Sequence, residues 1–173
     1  MSRVPMVEQE NEPAELKPVF DQLRRTRGRV PGMYRTLAHQ PAVLAAHRAY
    51  FHAALDTGDL PRAFKERVAY RVARLRGSEY SSASHRSYAL KHGASTAELE
   101  AIDRSEYQTL EPRLCAALEL ANSMVSSHGA VAGPVSQRLR AHFTTAEIVE
   151  LIALIGVMEL ACTLGTAFEL DAD

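Results

Sequence analysis

An all-α fold is predicted by three features of the sequence. Apolar side chains recur at helical spacing, as with Phe64, Val68, Val72 and Leu75. Two capping boxes, Ser95 with Glu98 and Thr144 with Glu147, mark helix starts where orphan backbone N–H groups need acceptors. Neither a period-two apolar alternation nor an Asn-Gly hairpin turn is found along the chain. With 173 residues, 46% of them hydrophobic and 24% charged, the chain has the size of one domain, expected to span 1–173, and can bury a core without covalent staples.

Taken in order, Pro13 opens the first helical stretch, LKPVFDQLRR, which is amphipathic and is expected to break early at Pro18. A basic loop follows (Arg24, Arg25, Arg27, Gly28, Arg29), then a Pro-Gly turn at Pro31 and Gly32. A short helix is expected over 33–39, another over 41–56, and a third over 62–76, closed by Gly77. The next runs over 79–92 and stops at Gly93, placed for a left-handed cap. Ser95 opens a short helix to about Arg104, and another spans 112–127. Gly133 and Pro134 read as a break. Thr144 opens a long apolar helix through IVELIALIGVMELACTLGTAF, residues 148–168. That run is long enough to span a bilayer. Glu150 and Glu159 interrupt it, which favours a helix buried in the domain or between subunits.

Charge balances to −1 overall, which gives no global case for nucleic-acid binding. It is unevenly spread, however. Residues 61–92 carry eight cations (Arg62, Lys65, Arg67, Arg71, Arg74, Arg76, Arg86, Lys91) against Glu66 and Glu79, whereas 144–173 carries six acids and no Lys or Arg. The two segments are expected either to attract one another or to stand as separate solvated faces. Glu159 is expected to pair with a cation of the 62–76 helix. The Arg24–Arg29 cluster reads as a solvated loop, with an acidic-substrate site as the alternative. The polar, acidic start lacks an apolar signal core, so a cytoplasmic location is expected. Cys115 and Cys162 form neither a disulfide framework nor a zinc motif, and the histidines show no metal-type spacing, so no metal is expected.

The segment KERVAYRVARLRGSEYSSASHRSYALKHG, residues 65–93, carries the chemistry. Helical spacing puts Ser78, Ser81, Ser82 and His85 on one face. If the two flanking helices pack antiparallel across Gly77, Glu66 and His85 lie at similar distances from the turn and can form an acid/base pair. Each residue also has a structural reading. Ser78 suits an N-cap, Glu66 an ion pair with Arg62 or Arg71, Tyr80 packing, Ser81 and Ser82 close helix contact, and His85 a local hydrogen bond.

Glu66, then eleven residues, Ser78, two residues, Ser81, three residues and His85, followed by a helix cap and a capping box, resembles the carboxymuconolactone decarboxylase and alkylhydroperoxidase D superfamily. The match is densest over about 60–102, and VPGMYRTLAHQPAVLAAHRAYFHAAL upstream and the apolar helix downstream fit it too. The resemblance implies a helical bundle whose antiparallel pair carries the site, in a homo-oligomer, a trimer or hexamer, acting on a small molecule. Hydroperoxidases of the superfamily carry Cys-x-x-Cys-x-x-x-His, and here Ser78 and Ser81 occupy the cysteine positions. Serine provides no thiolate and no disulfide, so peroxidase activity is expected only if these serines replace native cysteines. Cys115 and Cys162, on other helices, are not expected to substitute.

The decarboxylase branch lacks the cysteine pair and uses no cofactor. By that likeness the chain is expected to be a lyase- or isomerase-type enzyme acting on a small anionic lactone or carbonyl compound. His85 would be its acid/base and Glu66 its partner, with Tyr80, Ser81 and Ser78 as hydrogen-bond donors and Arg67, Arg71 or Arg74 as the carboxylate site. A non-catalytic oligomeric binding or scaffold protein is the alternative.

Overall fold

A computed structural model describes residues 2–172; Met1 and Asp173, the last acid of the acidic tail, lie outside them. Among the described residues there are nine α-helices, three short 3-10 turns and no strand. Helix α1 (Lys17–Arg27) begins only at Lys17, after two 3-10 turns, with Pro18 in its first turn. The expected early break at Pro18 is therefore wrong. A proline in the first turn gives up no hydrogen bond, because the N–H there has no helical acceptor. The same rule corrects the reading of Gly133 and Pro134, which start α8 (Gly133–His142) rather than interrupt the chain.

Between these lie α2 (Gly32–Leu37), α3 (Pro41–Asp56), α4 (Arg62–Leu75), α5 (Glu79–Lys91), α6 (Thr96–Arg104) and α7 (Pro112–Ser126), and α9 (Thr145–Ala167) closes the bundle. Both capping boxes form, Ser95 with Glu98 and Thr144 with Glu147. Gly93 adopts φ +94°, and the Ala94 N–H returns to the Ala89 carbonyl at 2.9 Å, closing α5 as its left-handed residue requires.

The larger core joins α4, α6, α7 and α9 around Val68, Val72, Ile102, Leu118, Leu154 and Ile155. A smaller one gathers Val7, Leu16, Phe20, Leu23, Met33 and Leu37 of the N-terminal segment with Leu44 and Leu170. Helix α9 packs on α3, α4, α5, α7 and α8. It is long and apolar enough to cross a membrane by length and composition. In this fold its inner face is core, with Leu151, Leu154, Ile155 and Met158 fully buried.

Helix α4 is buried on most sides, so its cations must find partners inside the fold. Lys65, only 1% exposed, pairs with Glu150 of α9 and donates to the Thr57 carbonyl. The other Glu150 oxygen accepts the Asp59 and Leu60 N–H groups at 2.9 and 3.2 Å. Gly58, with φ +98°, passes close to that carboxylate. A Cβ there would lie 2.5 Å from the Glu150 Cδ, so the loop needs glycine both for space and for its backbone. Arg71 donates to the Asn122 Oδ1, the Ile102 carbonyl and the Ser105 Oγ at 2.8, 2.9 and 2.9 Å, tying α4 to α6 and α7.

The basic and acidic segments thus meet at Lys65 and Glu150. Glu159, expected to have such a partner, is half-buried and has no ion pair among the described residues. Its position on α9 lies more than two turns beyond Glu150, past the reach of Lys65.

Candidate functional site

Helices α4 and α5 form the antiparallel pair the spacing predicts. Next to the turn the Ser78 N–H bonds the Ala73 carbonyl at 3.1 Å, and further out Glu66 meets His85. The His85 Nδ1 lies 2.7 Å from the Glu66 Oε2, with Glu66 fully buried and His85 only 6% exposed. The other Glu66 oxygen accepts from the Arg62 Nε at 2.6 Å. Both readings of Glu66, ion pair and histidine partner, hold together, one per oxygen.

Burial alone would raise the Glu66 pKa. The hydrogen bond and charge of His85, with those of Arg62, outweigh it and hold the carboxyl below its ordinary value. A carboxylate only accepts, so the His85 Nδ1 carries the proton and Nε2 is the nitrogen left for chemistry.

A depressed folded-state pKa means that Glu66 stabilises the fold fully above its unfolded value, near 4.5, and that this contribution is lost as pH falls through the lower folded value. Urea unfolding followed from pH 6 to pH 3 should therefore show a steeper acid loss in the wild type than in Glu66→Gln. Equal slopes would contradict the assignment.

His85 opens onto a cavity of about 430 Å³ between the two cores. Aromatic rings of Tyr34, Phe51, Tyr80 and Tyr88 line it, together with Met33, Ser81 and His47. Its cations are Arg27, Arg29, Arg62 and Lys91, and the guanidinium carbons of Arg27 and Arg62 lie 5.5 and 5.8 Å from the Tyr88 ring centre.

This arrangement corrects the expected carboxylate site. Arg67 turns to Glu98, Arg74 to Asp103, and Arg71 is buried in its own network. None of the three lines the cavity, because the face of α4 that carries them packs on α6 and α7. The Arg24–Arg29 segment, read as a solvated loop, instead brings Arg27 and Arg29 to the site.

Of the five residues singled out from the sequence, His85, Tyr80 and Ser81 line the cavity and Glu66 backs His85. Ser78 is buried and accepts the Ser81 N–H at 3.4 Å, as the N-cap of α5. The Tyr80 hydroxyl accepts the Met33 N–H at 3.2 Å, which ties α5 to α2.

Two features escaped sequence reasoning. The buried Cys162 thiol of α9 lies close enough to Ser81 and Ser78 for their hydroxyls to act on it. Burial pushes the thiol pKa up, and the two hydroxyls only partly counter this, so it stays protonated at neutral pH. A cysteine therefore does lie against the two serines, although no second one accompanies it. His47 of α3 is the other, buried in the cavity wall with neither ring nitrogen partnered among the described residues. Its place follows from α3 packing beside α2, which no local spacing reveals. Among the described residues no three His, Cys, Asp or Glu side chains converge as a metal site.

Residues 41–123 match the model of the carboxymuconolactone decarboxylase family, a span that starts at α3, well before the densest part of the sequence motif. No curated protein matches the chain significantly. Among solved structures, an uncharacterised peroxidase-related protein from Ralstonia eutropha JMP134, an alkylhydroperoxidase AhpD core, superposes with TM-score 0.90 at 20% identity, covering 99% of this chain and 92% of that one. Another peroxidase-related protein, from Silicibacter sp. TM1040, gives 0.88 at 18%, covering 99% and 90%. A cysteine-to-alanine variant of the debrominase Bmp8 in complex with 2,3,4-tribromopyrrole gives 0.86 at 18%, covering 100% and 92%. These likenesses establish the fold. Residues 41–123 thus carry the match to the carboxymuconolactone decarboxylase family, and the helical bundle around them has the alkylhydroperoxidase D-like fold.

Proposed function

We propose that this protein is a cofactor-independent acid/base enzyme acting on a small anionic lactone or carbonyl compound, of the lyase or isomerase type. The observation that carries this reading is the buried Glu66–His85 pair, 2.7 Å apart, at the wall of a cation-lined cavity. His85 Nε2 takes a proton from the carbon next to the carbonyl or lactone, and the carboxylate of Glu66 stabilises the imidazolium that forms. The same imidazolium returns the proton to the product carbon, so no group is consumed. Arg27, Arg29 and Lys91 attract the substrate's negative charge, and the Ser81 hydroxyl donates to the developing enolate. The small brominated pyrrole held by the Bmp8 variant supports a small planar ligand in this fold.

The test is a panel of small lactone carboxylates and enolisable oxo acids, followed by NMR for carbon dioxide release or an isomerised product. Turnover of at least one compound, absent in His85→Ala, is the expected result. Binding without turnover across the panel would favour the alternative, a binding or scaffold protein without redox chemistry. That alternative draws on Ser78 and Ser81 standing where hydroperoxidases carry cysteines.

The same reading includes a cytoplasmic homo-oligomer, a trimer or hexamer. Val149, Ile152 and Leu160 stand 62%, 40% and 45% exposed along one face of α9, and Val43 and Tyr50 of α3 extend that face. The Tyr50 hydroxyl reaches the Ala153 carbonyl at 3.4 Å, so the two helices share one surface. A second copy covering it removes apolar area from water. Light scattering of Ile152→Glu with Leu160→Glu should show monomer where the wild type shows oligomer. An unchanged mass would place the interface elsewhere.

A further inference from the structure

His47 stands apart from the Glu66–His85 pair and has no role in the proton transfer described above. It is 8% exposed and lines the same cavity as His85. Its ring stacks on Phe51 at 5.9 Å and 19° and meets Tyr34 edge-on at 6.2 Å. Phe51 in turn lies 6.1 Å from the His85 ring, so the two imidazoles flank one phenyl group on the cavity wall. Neither His47 nitrogen has a hydrogen-bond partner among the described residues. Buried polar groups are nearly always satisfied, and leaving one unpaired forfeits its hydration with nothing in return. An orphan imidazole facing a cavity is therefore placed to take its partner from a bound ligand.

The chemistry of that partner can be narrowed. Burial lowers the His47 pKa, so the ring is neutral at neutral pH and offers one N–H donor and one lone-pair acceptor. A hydroxyl can serve either nitrogen, since it both donates and accepts. A carboxylate can only accept, and it would be desolvated against a neutral ring. The negative charge of a ligand belongs instead beside Arg27, Arg29 and Lys91 of the same cavity. Between these poles the walls are the rings of Tyr34, Phe51 and Tyr88, which suit a flat ligand.

We infer that His47 is the substrate-recognition residue of this cavity, and that its ligand is a small planar hydroxy acid, aromatic or enolic, with the hydroxyl on His47 and the carboxylate on the arginines and Lys91. The inference rests on the proposed function for the identity of the site, but it concerns binding and not proton transfer.

The probes are meta- and para-hydroxybenzoate and the methylbenzoates of the same shape, titrated by calorimetry into the whole chain. The wild type should bind the better hydroxybenzoate at least about tenfold more tightly than its methyl counterpart, equivalent to about 1.4 kcal/mol. In His47→Phe that ratio should fall to about one, with methylbenzoate affinity unchanged within about twofold. In His47→Gln, which keeps a donor and an acceptor, most of the ratio should survive. Should either variant fail to fold, the wild type alone decides through the His47 side-chain nitrogen resonances, which should shift on adding hydroxybenzoate and stay still with methylbenzoate. A ratio near one in the wild type, a ratio retained in His47→Phe, or no binding of any probe at millimolar concentration would each overturn the inference. Absence of hydroxyl selectivity in the wild type, with His85-dependent turnover intact, would overturn this inference alone. Selectivity intact without any His85-dependent turnover would overturn only the acid/base reading.

Discussion

Turnover by the His85→Ala variant is expected to fall about 10²–10⁴-fold, the usual contribution of a positioned general acid/base. The loss should lie in kcat, with KM changed far less, because the cations of the cavity remain to hold the substrate's charge. Glu66→Gln should fall in the same range although its shape is nearly unchanged. An amide can still accept from the Nδ1–H, but it cannot stabilise the imidazolium, and it can present its own N–H to Nδ1 and thus favour the other tautomer. Arg62 would also lose one of its anionic partners, Glu66 at 2.5 Å, and keep Asp56, so the variant should be checked for folding by circular dichroism. Steady-state kinetics on any compound the panel identifies measures both variants. Activity within about threefold of wild type in His85→Ala would end the catalytic assignment.

Glu150→Ala should be the most damaging single change to stability away from the site, costing about 3–5 kcal/mol. It removes the only carboxylate paired with the nearly inaccessible Lys65 among the described residues, and strips the Asp59 and Leu60 N–H groups of their acceptor. A buried ammonium without its counter-ion pays desolvation that the pair otherwise offsets. Chemical denaturation at pH 7 measures the loss, and a melting temperature lower by about 10 °C or more should accompany it. The double variant Lys65→Met with Glu150→Leu should recover much of the loss, because an apolar pair of similar volume leaves no buried charge. If the single variant lost under 1 kcal/mol, Lys65 would have to reach solvent on its own.

How far the sequence led can be judged residue by residue. The α4–α5 pair was legible because helical spacing, a turn glycine and a serine N-cap are local signals, and Glu66 and His85 lie at similar distances from that turn. The cations of the site were not legible. Helix α4 is buried nearly all round, so its amphipathic pattern does not say which arginine faces which neighbour, and Arg67, Arg71 and Arg74 went to α6 and α7 instead of the cavity. Arg27, at the end of α1, and Arg29, just after it, line the cavity where the smaller core gathers Phe20 and Leu23 of α1 with Met33 of α2. Cys162 and His47 come from helices distant in sequence, and tertiary contact alone brings them to Ser81 and Phe51. Pro18 and Pro134 were misread for one reason. A proline that would break a helix interior serves equally well in its first turn, and only the position of the first helical residue separates the two.

Proton transfer by His85 is most directly tested by deuterium incorporation. An enolisable compound that the panel shows to bind is incubated in D₂O with wild type, His85→Ala and Glu66→Gln, and its acidic C–H is followed by NMR. The account predicts exchange catalysed by the wild type and slowed about 10²-fold or more in both variants. Exchange at wild-type rate in His85→Ala, or none above background in the wild type with the compound bound, would contradict it.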